Sequence, residues 1–242
     1  MTLTPLYITD AEPDGPTFSV CSLVRSQDKY DRLLASFERF GFSGTNAEFL
    51  AADNREINRF DGYNWQRALL AKARGQFVIF THDDIELIEE GFAELLGWTE
   101  WLDRNDPNWL VAGVAGGIWK ADRRPKTTLS LHISDKNGNA RRLGSIPYRV
   151  ESLDECFILM RRTRPVISSY DLNGFHFYGP DMCLQAELLG GSAWTIDFHI
   201  KHSGLAHAGK PFDESRANFV AKYRQYFPGR FLNTVNGLVE LR

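Results

Sequence analysis

The 242-residue chain has few cysteines, no long apolar run and little excess charge of either sign, and each shortage excludes a class of protein. Cys21, Cys156 and Cys183 form no metal-binding or redox spacing, and an odd count in a chain this long points to buried thiols in a reducing compartment. No apolar run approaches the roughly 18 residues of a membrane span, and residues 1–16 lack both the apolar core and the cleavage site of a secretory leader. Lys+Arg number 28 against 31 Asp+Glu, a net charge of −3, so no general attraction to nucleic acid or anionic lipid is expected. The chain is instead rich in apolar residues, 43% of the total with 24% charged, which suits a globular domain with a sizeable core and excludes disorder, collagen and coiled coil. A cytoplasmic protein is expected.

Hydrophobic period sets the organisation. Phe18 to Val24 is a short apolar run of strand formers. Tyr30, Leu33, Leu34, Phe37 and Phe40 then share one helical face, with Gly41 where a helix stops. Ala47 to Ala52 predicts a strand, a second helix runs up to Arg74-Gly75, and Phe77 to Phe80 predicts a strand again. This alternation predicts an α/β fold, a mostly parallel central sheet flanked by helices, because parallel neighbours need a crossover connection. A helix from about Leu87 to Leu102 and a strand around Trp109 to Val114 continue it. Residues 121–148 break the pattern, with Arg123-Arg124-Pro125-Lys126 and a turn signal at Lys136 to Asn139, and read as a hairpin excursion. A strand at Cys156 to Met160, a helix from Asp181 to Leu189, a strand at Trp194 to Ile200 and a helix from Glu214 to Tyr226 complete the order. The whole chain, 1–242, reads as one domain, with residues 1–16 an extension.

Ligands of such sheets bind beyond the carboxyl ends of the strands, which selects Arg25, Asp53 and Thr81-His82-Asp83-Asp84. Two adjacent carboxylates after a buried strand repel each other and need a cation or hydrogen-bond donors to stay ionised. A divalent ion is one solution, and a cap on a helix that follows is the other. Asp181, directly after Pro180, falls in the first turn of a helix, either as a charge stabilising the helix dipole or as a general base. His199, His202 and His207 lie on or after the last strand, where an imidazole can complete a metal site; no zinc motif spacing is present.

Taken in order, Phe18 to Arg25, Asp53-Asn54, Ala73-Arg-Gly75 with Phe77 to Ile85, Glu151 to Cys156, Phe175 to Leu184 and Ile196 to Gly204 resemble the GT-A fold glycosyltransferases. The match is to family-2-like bacterial enzymes with a His-Asp-Asp motif of a streptomycin-biosynthesis-type subgroup. The resemblance implies a metal-dependent, inverting transfer from a nucleotide-sugar donor to a glycan, lipid-linked or small-molecule acceptor, as in bacterial polysaccharide biosynthesis. It assigns Leu23, Val24, Arg25 and Asp53 to the nucleotide, Asp83 to ribose or sugar, and Asp154 to the donor sugar or acceptor. Asp84 and His202 become ligands of Mn²⁺ or Mg²⁺, with His82 a further candidate, and Asp181 becomes the catalytic base. The basic segment 121–148 becomes a lid over the donor, and a lipid-linked acceptor would hold the protein at the membrane periphery.

Two departures accompany this likeness. His82 stands where many relatives have an acidic residue, and Arg67 where they tend to have asparagine, with Asn64 a turn earlier. A nucleotidyltransferase or another sugar-nucleotide enzyme would use the same carboxylate and metal logic, and a domain that binds a nucleotide sugar or glycan without turnover would keep the same residues.

Overall fold

A computed structural model of the protein describes residues 15–204 and 209–242. Residues 205–208, His207 among them, and most of the N-terminal extension lie outside the described residues. The first half of the chain runs β1 (Phe18–Val24), α1 (Gln27–Arg39), β2 (Ala47–Asp53), α2 (Asn64–Leu70), β3 (Phe77–His82), β4 (Ile85–Leu87), α3 (Phe92–Asn105), β5 (Trp109–Gly113) and β6 (Ala115–Trp119). The second half runs β7 (Thr127–Ser134), β8 (Ala140–Leu143), β9 (Tyr148–Val150), β10 (Ser152–Leu153), β11 (Phe157–Arg161), α4 (Tyr178–Leu188), β12 (Ser192–Thr195), β13 (Ile200–His202), α5 (Lys210–Tyr223), β14 (Phe231–Thr234) and β15 (Gly237–Glu240).

Seven strands form the central sheet in the order β2-β1-β3-β11-β5-β12-β9. Its β2-β1-β3 part is parallel, as the strand-helix alternation requires, and β12 is parallel to β5. β11 enters between β3 and β5 antiparallel to both, so the sheet is mixed. β1 is buried along nearly its whole length, which is why it reads in sequence as an unbroken apolar run. Tyr30, Leu33 and Phe37 of α1 turn inward on one face and pack with Phe18, Val20 and Phe42 in a core that Trp109 and Phe157 extend.

A second sheet, β10-β6-β7-β13-β4 with β8 on β7, stands beside the first. Two readings from sequence change here. The helix expected from Leu87 starts at Phe92, because Ile85–Leu87 is an antiparallel partner of β13. The strand expected over Trp194 to Ile200 divides into β12 in the first sheet and β13 in the second. Within segment 121–148, Thr127–Ser134 is an inner strand of the second sheet and Ala140–Leu143 pairs with it, so the hairpin β7-β8 is part of that sheet. The C-terminal hairpin β14-β15 packs against β6 and turns through Val235-Asn236.

Candidate active site

Strand register gathers the rim residues. Leu23 lies beside His82 across β1 and β3, and Val24 beside Asp53 across β1 and β2, so the ends of three parallel strands meet at one edge. The β4-β13 pair sets His202 opposite Ile85, and the Ser203 amide donates to the Asp84 carbonyl at 3.1 Å. The chain's passage from β12 to β13 therefore carries a distant histidine to the end of β3.

There His82, Asp84 and His202 form one cluster, their ligand atoms all within 4.8 Å of one another. His82 Nδ1 lies 3.3 Å from His202 Nε2, and His202 Nε2 lies 3.4 Å from Asp84 Oδ1. Donor atoms about 2.1 Å from one ion stand about 3.0 to 3.4 Å apart, so this spacing fits a bound metal. Gly204 supports the fit, since a Cβ there would sit 2.7 Å from His202 Nε2 and 3.1 Å from Asp84 Oδ2. Two imidazoles and one carboxylate suit a first-row ion such as Mn²⁺ better than Mg²⁺.

The electrostatics of the cluster follow from its contacts. Burial works against ionisation of Asp84, but the hydrogen bond and charge of His202, then the charges of His82 and Lys29, hold its carboxyl well below the usual range. Lys29 Nζ approaches Asp84 Oδ2 at 3.3 Å. His202 is raised by Asp84 against the effect of burial, whereas burial and then the neighbouring His202 lower His82 and keep it neutral. The His82 Nε2 atom is 2.7 Å from the Tyr178 hydroxyl, which leaves Nδ1 as the nitrogen facing the cluster.

Asp83 is turned the other way. Its Oδ2 accepts the amides of Arg25 at 2.6 Å and Ser26 at 2.9 Å, at the start of α1. A strand, Ile85–Leu87, follows Asp84 directly, so neither aspartate caps a helix there; Asp83 instead accepts the two amides that lead into α1, one strand away. Arg25 is exposed at the same rim, and Leu23 is half-buried. Val24 has its side chain in the core, and its carbonyl accepts the Asn54 amide at 2.8 Å. Asp53 is exposed, and the hydrogen bonds from Arg55 hold its carboxyl down at about 2. Asp154 is half-buried, with Oδ1 accepting the Cys156 amide at 3.0 Å, and its charge acts on both His82 and His202.

Asp181 makes a separate set of contacts. It is fully buried, and Oδ2 accepts the Ser169 amide at 2.8 Å, while Oδ1 accepts the Ser169 hydroxyl at 2.5 Å and the Tyr223 hydroxyl at 2.6 Å. Burial raises its pKa against these donations. In this arrangement the carboxylate ties the 168–172 segment and α5 to α4. Lys29, Tyr178 and Gly204 were not among the residues selected from sequence. Lys29 had a signal, a cation in the first turn after the β1 rim; Tyr178 and Gly204 gain meaning only from the long-range pairing of β4 with β13 and the approach of α4.

This arrangement of sheets and rim is the GT-A glycosyltransferase fold, shared with solved enzymes at low sequence identity. GalNAc-T7 with UDP, GalNAc and Mn²⁺ superposes with a TM-score of 0.58 at 12% identity, covering 90% of this chain and 50% of that one. S. aureus TarS 1–349 in complex with UDP-GlcNAc gives 0.53 at 14% identity, covering 86% of this chain and 65% of that one. The mannosyltransferase PcManGT of Pyrobaculum calidifontis, in complex with GDP-Man and Mn²⁺, gives 0.51 at 12%, covering 93% and 66%. The chain thus spans about half to two thirds of the length of these three solved chains. No family model matches it. The chain belongs to the family of the ATP synthase subunits region ORF 6 protein of Fuscovulum blasticum, to which it is 55% identical over 237 residues, covering 98% of this chain and 95% of that protein. Among the described residues no helix is long and apolar enough to cross a membrane.

Proposed function

We propose that the protein is a metal-dependent, inverting glycosyltransferase, family-2-like and of the His-Asp-Asp subgroup, that moves a sugar from a nucleotide-sugar donor to an acceptor hydroxyl. The observation that carries this reading is the convergence of His82, Asp84 and His202 at the carboxyl edge of a GT-A sheet. These three side chains would hold a divalent ion, Mn²⁺ in preference to Mg²⁺. When bound, it supplies the positive charge that stabilises a departing nucleoside diphosphate.

The remaining roles belong to side chains of the same rim. Arg25 and Asp53 flank the nucleoside, and Asp83, fixed through one oxygen by two backbone amides, offers the other to a ribose or sugar hydroxyl. Lys29 stands where it can turn from Asp84 to diphosphate oxygen. In the reaction the acceptor oxygen forms a bond to the anomeric carbon as the bond to the diphosphate breaks, and the configuration inverts. The acceptor proton passes to a carboxylate on that rim. Asp154 is the group this reading assigns, because it is half-buried beside the cluster, whereas every hydrogen bond of the Asp181 carboxylate goes to an internal donor.

Calorimetry with UDP and with GDP, with and without Mn²⁺, tests the proposal. One of the two is expected to bind in a metal-dependent manner, and Asp84→Ala is expected to weaken that binding at least tenfold with the melting temperature retained. Metal-independent binding, or equal affinity in the variant, would remove the metal from the reading. Release of nucleoside diphosphate from a nucleotide sugar then separates a transferase from a domain that only binds.

A further inference from the structure

Between the segment before α4 and the first turns of α5 lies an open cleft of about 170 Å³, lined by Asn173, Phe175, His176, Glu214, Ser215 and Asn218 among others. We infer that this cleft is a saccharide site and, resting on the transferase reading above, that it holds the acceptor.

The cleft is a built feature. Gly174 has φ +97°, and a Cβ on it would lie 2.7 Å from Ser215 Oγ, so only glycine lets the segment approach α5 this closely. The Gly62 amide donates to the Gly174 carbonyl at 2.7 Å, and the Tyr63 hydroxyl donates to the His176 carbonyl at 3.0 Å. Phe177 follows at φ 69°, a left-handed conformation in a non-glycine residue. One wall is therefore held at both sides before any ligand arrives.

Its chemistry selects the ligand class. Asn173 and Asn218 are exposed, and neither side chain hydrogen-bonds to any described residue, so both amides are available to donate and accept. Phe175 is 40% exposed, an aromatic surface beside those amides. Glu214 supplies an acceptor carboxylate; its ion pair with Lys210 is at 3.7 Å and exposed. No lysine or arginine is among the described lining residues, and a carboxylate is, which disfavours phosphate and hence the donor's diphosphate. An apolar peptide would leave the two amides and the carboxylate unpaired. A neutral polyhydroxylated ring satisfies them, with its CH face on the aromatic ring and its hydroxyls on the amides. Arg25, at the nucleotide rim, lies 5.7 Å from the centre of the Phe175 ring, so the cleft opens next to the proposed donor site.

The experiment is a printed saccharide array probed with the full-length protein in Mn²⁺ with UDP and again with GDP, paired with calorimetry of the same nucleotides. Wild type is expected to retain a restricted set of saccharides. Asn218→Ala and Phe175→Ala are expected to lower that retention at least tenfold, with nucleotide affinity of Asn218→Ala within twofold of wild type. Retention unchanged in both variants, or no saccharide retained under either nucleotide, overturns the site. Saccharide retention that depends on these residues in a protein that binds neither nucleotide keeps the cleft and overturns the transferase reading instead, so the two failures are distinguishable.

Discussion

The hydroxyl of Tyr178 lies 2.7 Å from His82 Nε2 and 3.5 Å from the Glu155 carbonyl, while the opposite ring nitrogen of His82 faces His202. A consistent chain of donors runs from His82 Nε2–H to the phenol oxygen and from the phenol toward that carbonyl. It fixes the histidine tautomer with Nδ1 as the lone pair turned to the cluster. Outer partners of this kind commonly contribute about 10- to 100-fold in metal affinity. Tyr178→Phe, which keeps the buried ring, is expected to raise the Mn²⁺ concentration needed for half-saturation by about that factor. Calorimetric Mn²⁺ titration checks this; an unchanged titration would reduce Tyr178 to a packing residue.

Gly204 makes a second, steric claim on the same cluster. Alanine there places a methyl 2.7 Å from His202 Nε2, so the imidazole has to turn away from Asp84. Gly204→Ala is expected to weaken Mn²⁺ binding about tenfold or more. Because His202 is half-buried at a rim, the melting temperature should fall little. A large loss of stability with an intact metal titration would assign the glycine to backbone packing.

For Asp181 the surroundings predict a stability effect. Three donors converge on its two oxygens, so an amide at this position must turn its own N–H₂ toward at least one of them. Asp181→Asn is expected to destabilise by about 1 to 3 kcal/mol, the penalty for leaving a buried polar group unsatisfied. Nucleotide and metal affinity should remain. Thermal unfolding beside calorimetry separates the outcomes, and transfer activity lost without any change in stability would restore Asp181 as the base expected from sequence.

The parts of this site that sequence disclosed are those encoded by local pattern. Phe18–Val24 was legible because every residue of a buried strand is apolar or small, and α1 because Tyr30, Leu33 and Phe37 keep helical spacing on a single inward face. The rim residues Arg25, Asp53 and His82 to Asp84 followed from the strand ends. The start of α3 and the break between β12 and β13 were not legible, because both depend on β4 pairing with a strand more than a hundred residues away. The same pairing assembles the His82, Asp84 and His202 cluster, so His202 was singled out from His199 and His207 through a family resemblance while Gly204 and Tyr178 were missed. Asp181 illustrates the converse: its place after Pro180 fits a base and a buried brace equally, and the contacts with Ser169 and Tyr223 that make it a brace come from long-range packing that no local pattern shows.

Glu155 gives the pH dependence. Its Oε1 accepts the Phe177 amide at 2.7 Å, and burial, then the neighbouring Asp154 charge, push its pKa up to about 8. The ordinary glutamate value in an unfolded chain is about 4.3. Between these two values the folded state holds a proton that the unfolded state has released, so the stability contributed by protonated Glu155 is full below about pH 4 and is lost as pH rises through 8. Glutamine at this position keeps an oxygen for the Phe177 amide and carries no charge at any pH. The melting temperature of Glu155→Gln relative to wild type should therefore climb as pH rises from 5 to 9, with little difference at the acidic end. Paired melting curves across that range measure it directly. A pH-independent gap would mean that Glu155 is ionised throughout, with the start of α4 and the Phe177 amide stabilising its charge more than burial opposes it.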